Sequence, residues 1–312
     1  MLNLILFIIY EMPEIIEIRS YADLLRRYTK SHTLAKIIIH KGRYKKHGPF
    51  EGYTIIQKQL PLRIVRIQTK GKFLYIELEK QWFILNTCGL SGGWCFKSSN
   101  NQLQFSKNFK NYSTEEIAEY TKILRKHLNI EFVLNNNTSL FFYDSLSFGT
   151  LKVIQGIDHI SQKLNTIGPD VMDSSTTIQV FMDRLILPKN QTKEIGIVLM
   201  DQSVISGIGN YLRSEILYLS KINPFRTIST LRKTDIQKIF KYSKMLIWGL
   251  YDRKKAIQLK WLDPKTKLAY DHQRVFFVYK QKKDIYGNAV VIKELYQGSQ
   301  KRFIYYVPRL QK

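Results

Sequence analysis

Apolar residues stand at every second position through much of the first half of the chain. Leu74, Ile76 and Leu78 show this period clearly, within the stretch KGKFLYIELEKQWFILN. A period of two is typical of a strand that buries one face of a sheet. Short segments of this kind, separated by turn residues, continue from residue 36 to about residue 153, which predicts a β-rich unit.

Two helices accompany these strands. The first is predicted over residues 16–28, before the strands begin. The second lies in the stretch STEEIAEYTKILRKHL, where Ser113 or Thr114 serves as the cap and Glu115 and Glu116 fall in the first turn. Carboxylates in the first turn favour a helix because they oppose the positive end of its dipole.

The apolar period becomes helical after the stretch LNTIGPDVM. Ile178, Phe181, Met182 and Leu185 fall on one helical face. A longer amphipathic helix is predicted in KTDIQKIFKYSKMLIWGLY, with Thr234 as its cap. A helical unit is therefore expected after the β-rich one.

The last segment returns to strand-like patterns, in RVFFVYK, YGNAVVIKELY and KRFIYYV. The boundaries we expect are an apolar extension at residues 1–12, a β unit at 13–150, a helical unit at 151–265 and a β tail at 270–312. The fold class that results is α+β.

Charge is the strongest signal in the composition. The 312 residues include 49 Lys and Arg against 25 Asp and Glu, which gives a net charge of +24 and a pI near 9.8. An excess of this size favours a polyanionic partner, because Lys and Arg displace condensed counterions from phosphates. A genome rich in Lys, Ile and Asn codons produces the same excess without any function, so charge alone leaves both explanations open.

No pattern in the sequence indicates a metal, a cofactor or a disulfide framework. The chain has two cysteines, Cys88 and Cys95, and its six histidines lack the spacing of metal ligands. The apolar run at residues 2–10 is shorter than the ~20 residues a membrane helix needs. Neither a basic segment nor a small-residue cleavage site marks this run as a signal peptide. We expect an intracellular monomer without metal, cofactor or membrane contact.

A glycine turn precedes a helix in the stretch LMDQSVISGIGNYLRSEILYLSKINPF, residues 199–225. The pattern predicts a helix, a turn at residues 206–209 and a second helix that starts at Asn210. Backbone N–H groups at such a turn, around Gly207 and Gly209, suit an anion such as a DNA phosphate. Taken alone, the pattern is more often an ordinary connection between helices.

As a whole, this stretch resembles the helix–two-turns–helix signature of the formamidopyrimidine-DNA glycosylase/endonuclease VIII family of base-excision repair enzymes. GIGNYLRSEIL is most similar to the endonuclease VIII branch. Met12, Pro13 and Glu14 match the Met-Pro-Glu with which that family begins. The resemblance implies an N-terminal helix with a β-sandwich, a helical module and a β-hairpin finger. It also implies damaged DNA, duplex or single-stranded, as the partner, bound in a basic cleft between the first two parts.

The resemblance assigns the chemistry to the head of the first helix. In this family the processed N-terminal proline is the nucleophile, here Pro13, whose free secondary amine attacks C1′ of the damaged nucleotide and forms an iminium. Glu14 serves as the acid and base, and Glu17, one helical turn on, helps to position Pro13. An amide-bonded proline has no nucleophilic lone pair, so we expect initiation at Met12 or removal of residues 1–12.

Further residues match the family's motifs one at a time. The resemblance assigns Lys72 a DNA contact near the abasic site, and Leu90, in CGLSG, the filling of the space left by the extruded base. Asn210 matches a phosphate-binding asparagine, and Glu215 an acidic residue of the same helix. Arg302 matches the phosphate-gripping arginine of the finger. The alternatives are a solvated Lys72, a core Leu90 and an ordinary surface Arg302.

Two stretches depart from the family pattern. Val307 and Leu310 stand where many relatives have the last two cysteines of a zinc site, so a zincless finger held by apolar packing is expected. In DSLSFG, Leu146 and Ser147 replace the two arginines of Asp-x-Arg-Arg-Phe-Gly, whereas Phe148 is retained as a DNA contact. We therefore expect weak discrimination of the base opposite the lesion.

The activity that the resemblance implies is bifunctional. The enzyme would release an oxidised base, with pyrimidines and ring-opened purines preferred, and then nick the strand at the abasic site by elimination. One alternative is a catalytically inactive DNA-binding protein of the same fold, in which Pro13 stays internal. Another is a structural nucleic-acid binder that uses only the helix turn.

Overall fold

A computed structural model describes residues 13–106, 112–266, 276–297 and 300–312. The chain divides into two compact units, one that ends at Asn165 and one that runs from Thr166 to Lys312. The apolar extension expected at residues 1–12 lies outside the described residues.

The first unit combines one long amphipathic helix with an antiparallel sheet. Its described helices and strands follow in this order: α1 Ile15–Thr29, β1 Thr33–Ile39, α2 Arg43–Lys46, α3 Tyr53–Gln57, β2 Leu62–Lys70, β3 Phe73–Leu78, β4 Trp82–Thr87, β5 Gly92–Lys97, β6 Leu103–Phe105, α4 Thr114–Arg125, β7 Leu128–Leu134, β8 Ser139–Asp144, β9 Thr150–Gln155 and α5 Ile157–Asn165. The helix predicted over residues 16–28 is confirmed as α1. Ser113 caps α4, because its Oγ accepts the N–H of Glu116 at 3.2 Å.

The strands form one sheet in the order β6-β5-β8-β7-β1-β2-β3-β4-β9, with antiparallel neighbours throughout. The pairing of β1 with β2 covers Thr33 with Arg63 and Leu34 with Leu62. This short junction divides the sheet into two halves, and side chains from both halves enter one core. The predicted helix and β-sandwich are therefore confirmed.

Aromatic and aliphatic side chains fill this core. Trp94 of β5 lies with its ring centroid 5.2 Å from Phe132 and 5.4 Å from Phe142. Ile76 and Ile84 from the other half of the sheet pack into the same cluster. Full burial of side chains of this size contributes about 1.5–3 kcal/mol each, which makes this cluster the main source of stability in the first unit.

The second unit is helical, with a β-hairpin at its end. Its described helices and strands are α6 Ile178–Leu185, α7 Ile195–Val198, α8 Asn210–Ser220, α9 Lys233–Tyr251, α10 Arg253–Gln258, β10 Val291–Gln297 and β11 Gln300–Tyr306. Phe181 of α6 and Phe240 of α9 meet with ring centroids 5.4 Å apart, and Leu212 and Ile216 of α8 are fully buried. α8 is thus the central helix of this unit.

The hairpin β10–β11 is paired from Val291 with Tyr306 to Gln297 with Gln300. Leu295 and Ile304 are buried on one of its faces. Beyond the hairpin, Val307 is buried in a cluster with Tyr218, Phe277 and Val278. The apolar packing expected around this part of the finger is confirmed.

Three details of the sequence interpretation are wrong. Thr234 does not cap α9, since the helix begins at Lys233 and Asp235 Oδ2 accepts the N–H of Arg232 at 3.1 Å. Residues 199–206 form turns rather than a helix, because the helix before them ends at Val198. The described part of RVFFVYK, residues 276–280, is not a strand. Its N–H groups bond to a side chain of α8 instead of to a neighbouring strand.

Within the described ranges, every helix is too short or too polar to pass through a bilayer.

Candidate functional site

Pro13 and Glu14 lie immediately before the first turn of α1, and both are buried. The N–H of Glu14 donates to Glu17 Oε2 at 2.9 Å, and the carbonyl of Glu14 accepts the N–H of Ile18 at 3.0 Å. The backbone directly after Pro13 is thus held on both sides by the start of a helix. Of the three residues assigned to the head of the chain, the structure brings Glu14 and Glu17 into contact through this hydrogen bond.

The position of α1 depends on a close approach to β5. The hydroxyls of Tyr21 on α1 and Tyr143 on β8 lie 3.1 Å apart. A Cβ added at Gly93 of β5 would lie 2.3 Å from the Tyr143 hydroxyl and 2.6 Å from the Tyr21 hydroxyl. A side chain at position 93 would displace this hydroxyl pair, so the glycine permits the close approach of α1 to the sheet.

Lys72 occupies the turn that joins β2 to β3 and is partly exposed. Gly71, before it, has a φ of +56°, which a residue with a side chain rarely adopts. On the other side of the turn, Lys70 Nζ donates to the carbonyl of Leu164 at 2.8 Å. The turn thus combines the left-handed backbone of Gly71 with a bond from Lys70 to a distant segment, and the role of Lys72 rests on the resemblance.

The loop that carries Leu90 abuts the loop that carries Phe148. A Cβ added at Gly89 would lie 2.6 Å from the carbonyl carbon of Phe148 and 2.7 Å from the nitrogen of Gly149. Gly89 also has a φ of +61°. Two segments that are more than fifty residues apart in sequence therefore form one surface of the first unit.

Asp144 holds these two loops together. Its carboxylate accepts the Ser91 hydroxyl at 2.5 Å on one oxygen and the N–H of Gly149 at 2.7 Å on the other. The N–H of Leu146 donates to the Ser91 hydroxyl at 2.9 Å. Asp144 itself is 3% exposed. These hydrogen bonds hold the loops of Leu90 and Phe148 in one arrangement.

The side chains above this support are apolar and project into solvent. Phe148 is 58% exposed and Leu146 41% exposed, and Leu90 is partly exposed. Leu90 is therefore not the core residue that the alternative interpretation proposed. Large exposed apolar side chains gathered at one place are typical of an interaction surface.

In the second unit, the glycine turn is braced by Gln202. The Gly207 N–H donates to Gln202 Oε1 at 2.9 Å, and Gln202 Nε2 donates to the carbonyl of Ile208 at 2.8 Å. Gly207 has a φ of +110°, whereas Gly209 is extended and precedes α8 as its cap. The N–H of Gly207 is therefore already bonded within the protein, so the prediction that Gly207 donates to an anion is wrong.

Asn210, the first residue of α8, is oriented by Arg213. The Nη2 of Arg213 donates to Asn210 Oδ1, and the same nitrogen donates to the carbonyl of Phe303 at 3.1 Å. Arg213 Nη1 donates to the carbonyl of Gly196 at 2.8 Å. Because Arg213 occupies the oxygen of the Asn210 amide, the amide's NH₂ group is the part left to meet a ligand.

Glu215 joins the same helix to the segment before the finger. Its carboxylate accepts three consecutive backbone N–H groups, from Phe277 at 2.8 Å, Val278 at 2.9 Å and Tyr279 at 2.8 Å. Glu215 is 1% exposed. A buried carboxylate with this many donors is strongly bound in its ionised form, and it substitutes for the strand partner that the sequence led us to expect.

Arg302 lies on β11, opposite Leu295 of β10, and is partly buried. The next residue, Phe303, provides the carbonyl that Arg213 bonds. The buried guanidinium of Arg213 therefore bonds both to Asn210 and to the strand that carries Arg302. Arg213 was not predicted from the sequence, although its spacing of three from Asn210 on a helix was enough to place both on one face.

The two cysteines are free thiols that are buried in the first unit. Burial raises the pKa of both Cys88 and Cys95 well above the usual range, so they stay protonated and unreactive. In the described part of the chain, no three His, Cys, Asp or Glu side chains gather as metal ligands do.

Three sequence profiles of one enzyme family match successive parts of the chain. The formamidopyrimidine-DNA glycosylase N-terminal domain matches residues 12–151, the H2TH domain residues 167–259 and the C-terminal domain residues 267–312. Among curated relatives, the formamidopyrimidine-DNA glycosylase of Ureaplasma parvum is 29% identical over 240 residues, which are 76% of this chain and 77% of the relative. The formamidopyrimidine-DNA glycosylase of Oceanobacillus iheyensis is 24% identical over 230 residues, which are 73% of this chain and 72% of the relative.

Solved structures share the fold over nearly the whole length. The Lactococcus lactis formamidopyrimidine-DNA glycosylase bound to DNA with an abasic site superposes with a TM-score of 0.70 at 18% identity. The complex of that enzyme with DNA containing an oxidised pyrimidine also gives 0.70, at 20% identity. Each match covers 96% of this chain and 100% of the other. Assignment to the endonuclease VIII-like branch stays a prediction. Because the three profiles together cover most of the sequence, the chain belongs to the formamidopyrimidine-DNA glycosylase family of base-excision repair enzymes.

Proposed function

We propose that this enzyme is a bifunctional DNA glycosylase and abasic-site lyase that uses the amine of Pro13 as its nucleophile. The observation that carries the proposal is the head of α1. There Pro13 precedes Glu14, and Glu17 holds the Glu14 backbone N–H at 2.9 Å. Membership of a glycosylase family supports the reaction class, and this arrangement supports the assignment of Pro13, Glu14 and Glu17 to it.

The first step joins the enzyme to the sugar. The lone pair of the Pro13 nitrogen attacks C1′, the C1′–base bond breaks, and the departing base takes up the bonding electrons together with a proton. Glu14 protonates the ring oxygen as the sugar opens, which leaves an iminium between Pro13 and C1′. A free terminal amine titrates near pH 8, so part of the population is unprotonated and nucleophilic at neutral pH.

The second step cuts the strand. The iminium withdraws electrons from C2′, a proton leaves C2′, and the C3′–oxygen bond breaks so that the phosphate departs. Water then hydrolyses the iminium and regenerates the amine. Glu17 acts on these steps through position alone, because its carboxylate is bonded to the backbone next to Pro13.

The reaction requires that Pro13 be a chain terminus. In an amide bond the nitrogen lone pair is delocalised, so a chain that retains residues 1–12 lacks the nucleophile. A proline after methionine is a good substrate for methionine removal. The active form is therefore the one that begins at Pro13, from initiation at Met12 or from later trimming.

DNA is the partner that the remaining site residues suit. The relatives of known structure are described in complex with DNA that contains an abasic site or an oxidised pyrimidine. Asn210 offers its NH₂ group to a phosphate, and Arg302 is assigned a second phosphate in the finger. Lys72 is assigned the strand near the abasic sugar.

The exposed surface of Leu90, Leu146 and Phe148 is assigned to the space that the extruded base leaves. These apolar side chains stack in the duplex without forming hydrogen bonds to the orphaned base, and Leu146 replaces an arginine at this surface. The resemblance to the endonuclease VIII branch favours oxidised pyrimidines and ring-opened purines as substrates. The replacement of the arginine favours weak dependence on the opposite base.

Excision and nicking by a chain that begins at Pro13 test the proposal. The substrates are duplexes with an oxidised pyrimidine, a formamidopyrimidine, 8-oxoguanine or an abasic site. We expect release of the first two bases with strand cleavage, and a loss of at least about 100-fold in Glu14→Gln. The matched control is Glu51→Gln, because Glu51 is an exposed acid of the same unit, paired with Lys152.

The inactive-binder alternative makes a different prediction. Such a protein would bind abasic-site DNA but release no base and cut no strand, even when it begins at Pro13. That result, with the control variant folded, would contradict the proposed function. Equal activity of the Pro13 chain and a chain with residues 1–12 retained would contradict the role of the amine.

A further inference from the structure

A cavity of about 530 Å³ lies within the second unit, at the carboxyl end of α8. Four aromatic rings line it: Tyr218 from α8, Tyr242 from α9, and Phe277 and Tyr286 from the segment before the finger. A volume of this size accommodates a small organic ligand. None of the residues assigned to DNA lines the cavity.

The cavity is distant from the end of α8 that carries Asn210. Lys221, at its rim, follows the last turn of α8, eleven positions after Asn210. At about 1.5 Å per residue, the two ends are separated by about 16 Å. A ligand in the cavity is therefore separate from a phosphate held at Asn210.

The loop that forms one wall is held rigidly. Asp284, 3% exposed, accepts the N–H of Tyr286 at 2.9 Å and the N–H of Asn288 at 2.8 Å on one oxygen. Its other oxygen accepts Asn288 Nδ2 at 2.9 Å and the Tyr218 hydroxyl at 3.1 Å. These four hydrogen bonds fix the backbone on both sides of Tyr286.

This support explains how a large ring stays in solvent. Tyr286 is 76% exposed and Ile285 beside it 38% exposed, although both sit on a loop tied to a buried carboxylate. Burial and the nearby Asp284 raise the pKa of Tyr218 far above its usual value, so its hydroxyl remains a neutral donor that anchors the loop. The backbone that carries this exposed ring is thus held in place before a ligand arrives.

The charged side chains that line the cavity are positive, and the two carboxylates nearest to it, Asp284 and Glu215, are buried behind the lining. Lys221 and Arg309 contribute to its lining and are exposed. Within the described part of the chain neither forms an ion pair, and no carboxylate is among the lining residues. Asp284, behind Tyr218, has both oxygens bonded to the four donors of the loop. An anion entering the cavity therefore meets two cations.

From these features we infer a second ligand site in this cavity, specific for a nucleoside phosphate. Tyrosine faces stack on a nucleobase whatever its identity. Arg309 and Lys221 neutralise the phosphate, and Arg309 is suited to bind it with two parallel N–H groups. The ligand is either a free nucleotide or one unit of a single-stranded nucleic acid. The inference is independent of the chemistry at Pro13.

Binding measurements on the full chain test this inference. The probes are AMP, adenosine, inorganic phosphate and a six-residue oligothymidylate, each titrated by calorimetry. We expect AMP to bind at least about tenfold more tightly than adenosine or phosphate, because stacking and charge act together in one site. Tyr286→Ala and Arg309→Gln should each weaken AMP binding about tenfold. Tyr286 is exposed, so its removal leaves the fold intact.

Matched controls separate the cavity from general attraction to a basic protein. Tyr296→Ala removes a tyrosine that is 57% exposed on the hairpin, and Lys189→Gln removes an exposed cation elsewhere in the unit. Both should leave AMP affinity within about twofold of the parent. If the oligonucleotide binds more tightly than AMP and shows the same dependence on Tyr286 and Arg309, the ligand of the cavity is a single-stranded nucleic acid. Equal affinities identify a free nucleotide.

Two results would overturn the inference. One is that AMP binds no more tightly than inorganic phosphate. The other is that the cavity variants lose no more affinity for AMP than Tyr296→Ala and Lys189→Gln do.

Discussion

Replacing Glu215 by Gln should detach the segment that leads into the finger. In the parent, the two carboxylate oxygens accept the N–H groups of Phe277, Val278 and Tyr279. Gln keeps one oxygen but puts an NH₂ group in place of the other. This NH₂ group faces a backbone N–H, so two donors oppose each other in a site that is 1% exposed.

The magnitude follows from these bonds. A hydrogen bond to a charged group contributes about 1.5–3 kcal/mol, and a buried donor left without a partner costs about 1–3 kcal/mol. These contributions are not additive, because the segment relaxes once one bond fails. We expect Glu215→Gln to lower the free energy of unfolding of the second unit by about 2–4 kcal/mol. For a unit of this length the midpoint should fall by roughly 5–15 °C.

Calorimetry measures the fall in the unfolding midpoint, and amide hydrogen exchange measures the loss of the three hydrogen bonds. Exchange should accelerate at the N–H groups of residues 277–279, where the bonds are lost. Glu294→Gln is the matched control, because Glu294 forms a surface ion pair with Lys301 in the same unit, and such pairs are worth at most about 1 kcal/mol. An unchanged midpoint in Glu215→Gln, with exchange at 277–279 as slow as in the parent, would show that the Glu215 carboxylate does not hold this segment.

Two further predictions concern base readout and pH. Leu146→Arg adds hydrogen-bond donors to an exposed position at the apolar surface. We expect the parent to discriminate the opposite base only weakly, and excision by the variant to depend on it about tenfold. Equal excision rates on all four opposite bases in the variant would contradict this. Burial lowers the pKa of Lys244 to about 8 from an ordinary value of 10.5. The unfolded chain therefore binds more protons between these values, and stability rises as the pH rises through them. The cost of the buried charge, about 3 kcal/mol, is present in full below pH 8. In urea unfolding at pH 8, 9 and 10, the free energy of unfolding of Lys244→Met should lack the rise that the parent shows. The same dependence on pH in parent and variant would exclude Lys244 as its source.

Local patterns in the sequence were enough to predict the elements that form from neighbouring residues. The amphipathic period identified α1, and the serine followed by two glutamates identified the start of α4. The cap of α9 was misplaced by two residues, because Thr234 and Asp235 are both good capping residues. Only the structure shows that the Asp235 carboxylate accepts the Arg232 N–H.

Long-range contacts account for the rest. RVFFVYK has the composition of a strand, yet a carboxylate more than sixty positions earlier, that of Glu215, bonds its N–H groups. Gly207 was a candidate anion donor until Gln202 was found to occupy its N–H. The contact of Gly89 with Phe148 likewise joins segments whose proximity no local pattern reports. In each case a distant group decides where a backbone hydrogen bond goes.

The site residues divide in the same way. Pro13, Glu14 and Asn210 could be proposed from the sequence because their motifs are contiguous. Arg213 and Asp144 were missed, since their importance lies in what they hold: Arg213 orients Asn210, and Asp144 supports the loops of Leu90 and Phe148. A motif identifies groups that meet the substrate, whereas the groups that position them become visible only with coordinates.

Reductive trapping followed by peptide mapping tests most directly whether the Pro13 amine is the nucleophile. A chain that begins at Pro13 is incubated with abasic-site DNA and borohydride, which converts an iminium into a stable secondary or tertiary amine. We expect one covalent adduct, located by mass spectrometry on Pro13, and no adduct from a chain that retains residues 1–12. An adduct on a lysine such as Lys72, or no adduct from the correctly trimmed chain, would contradict it.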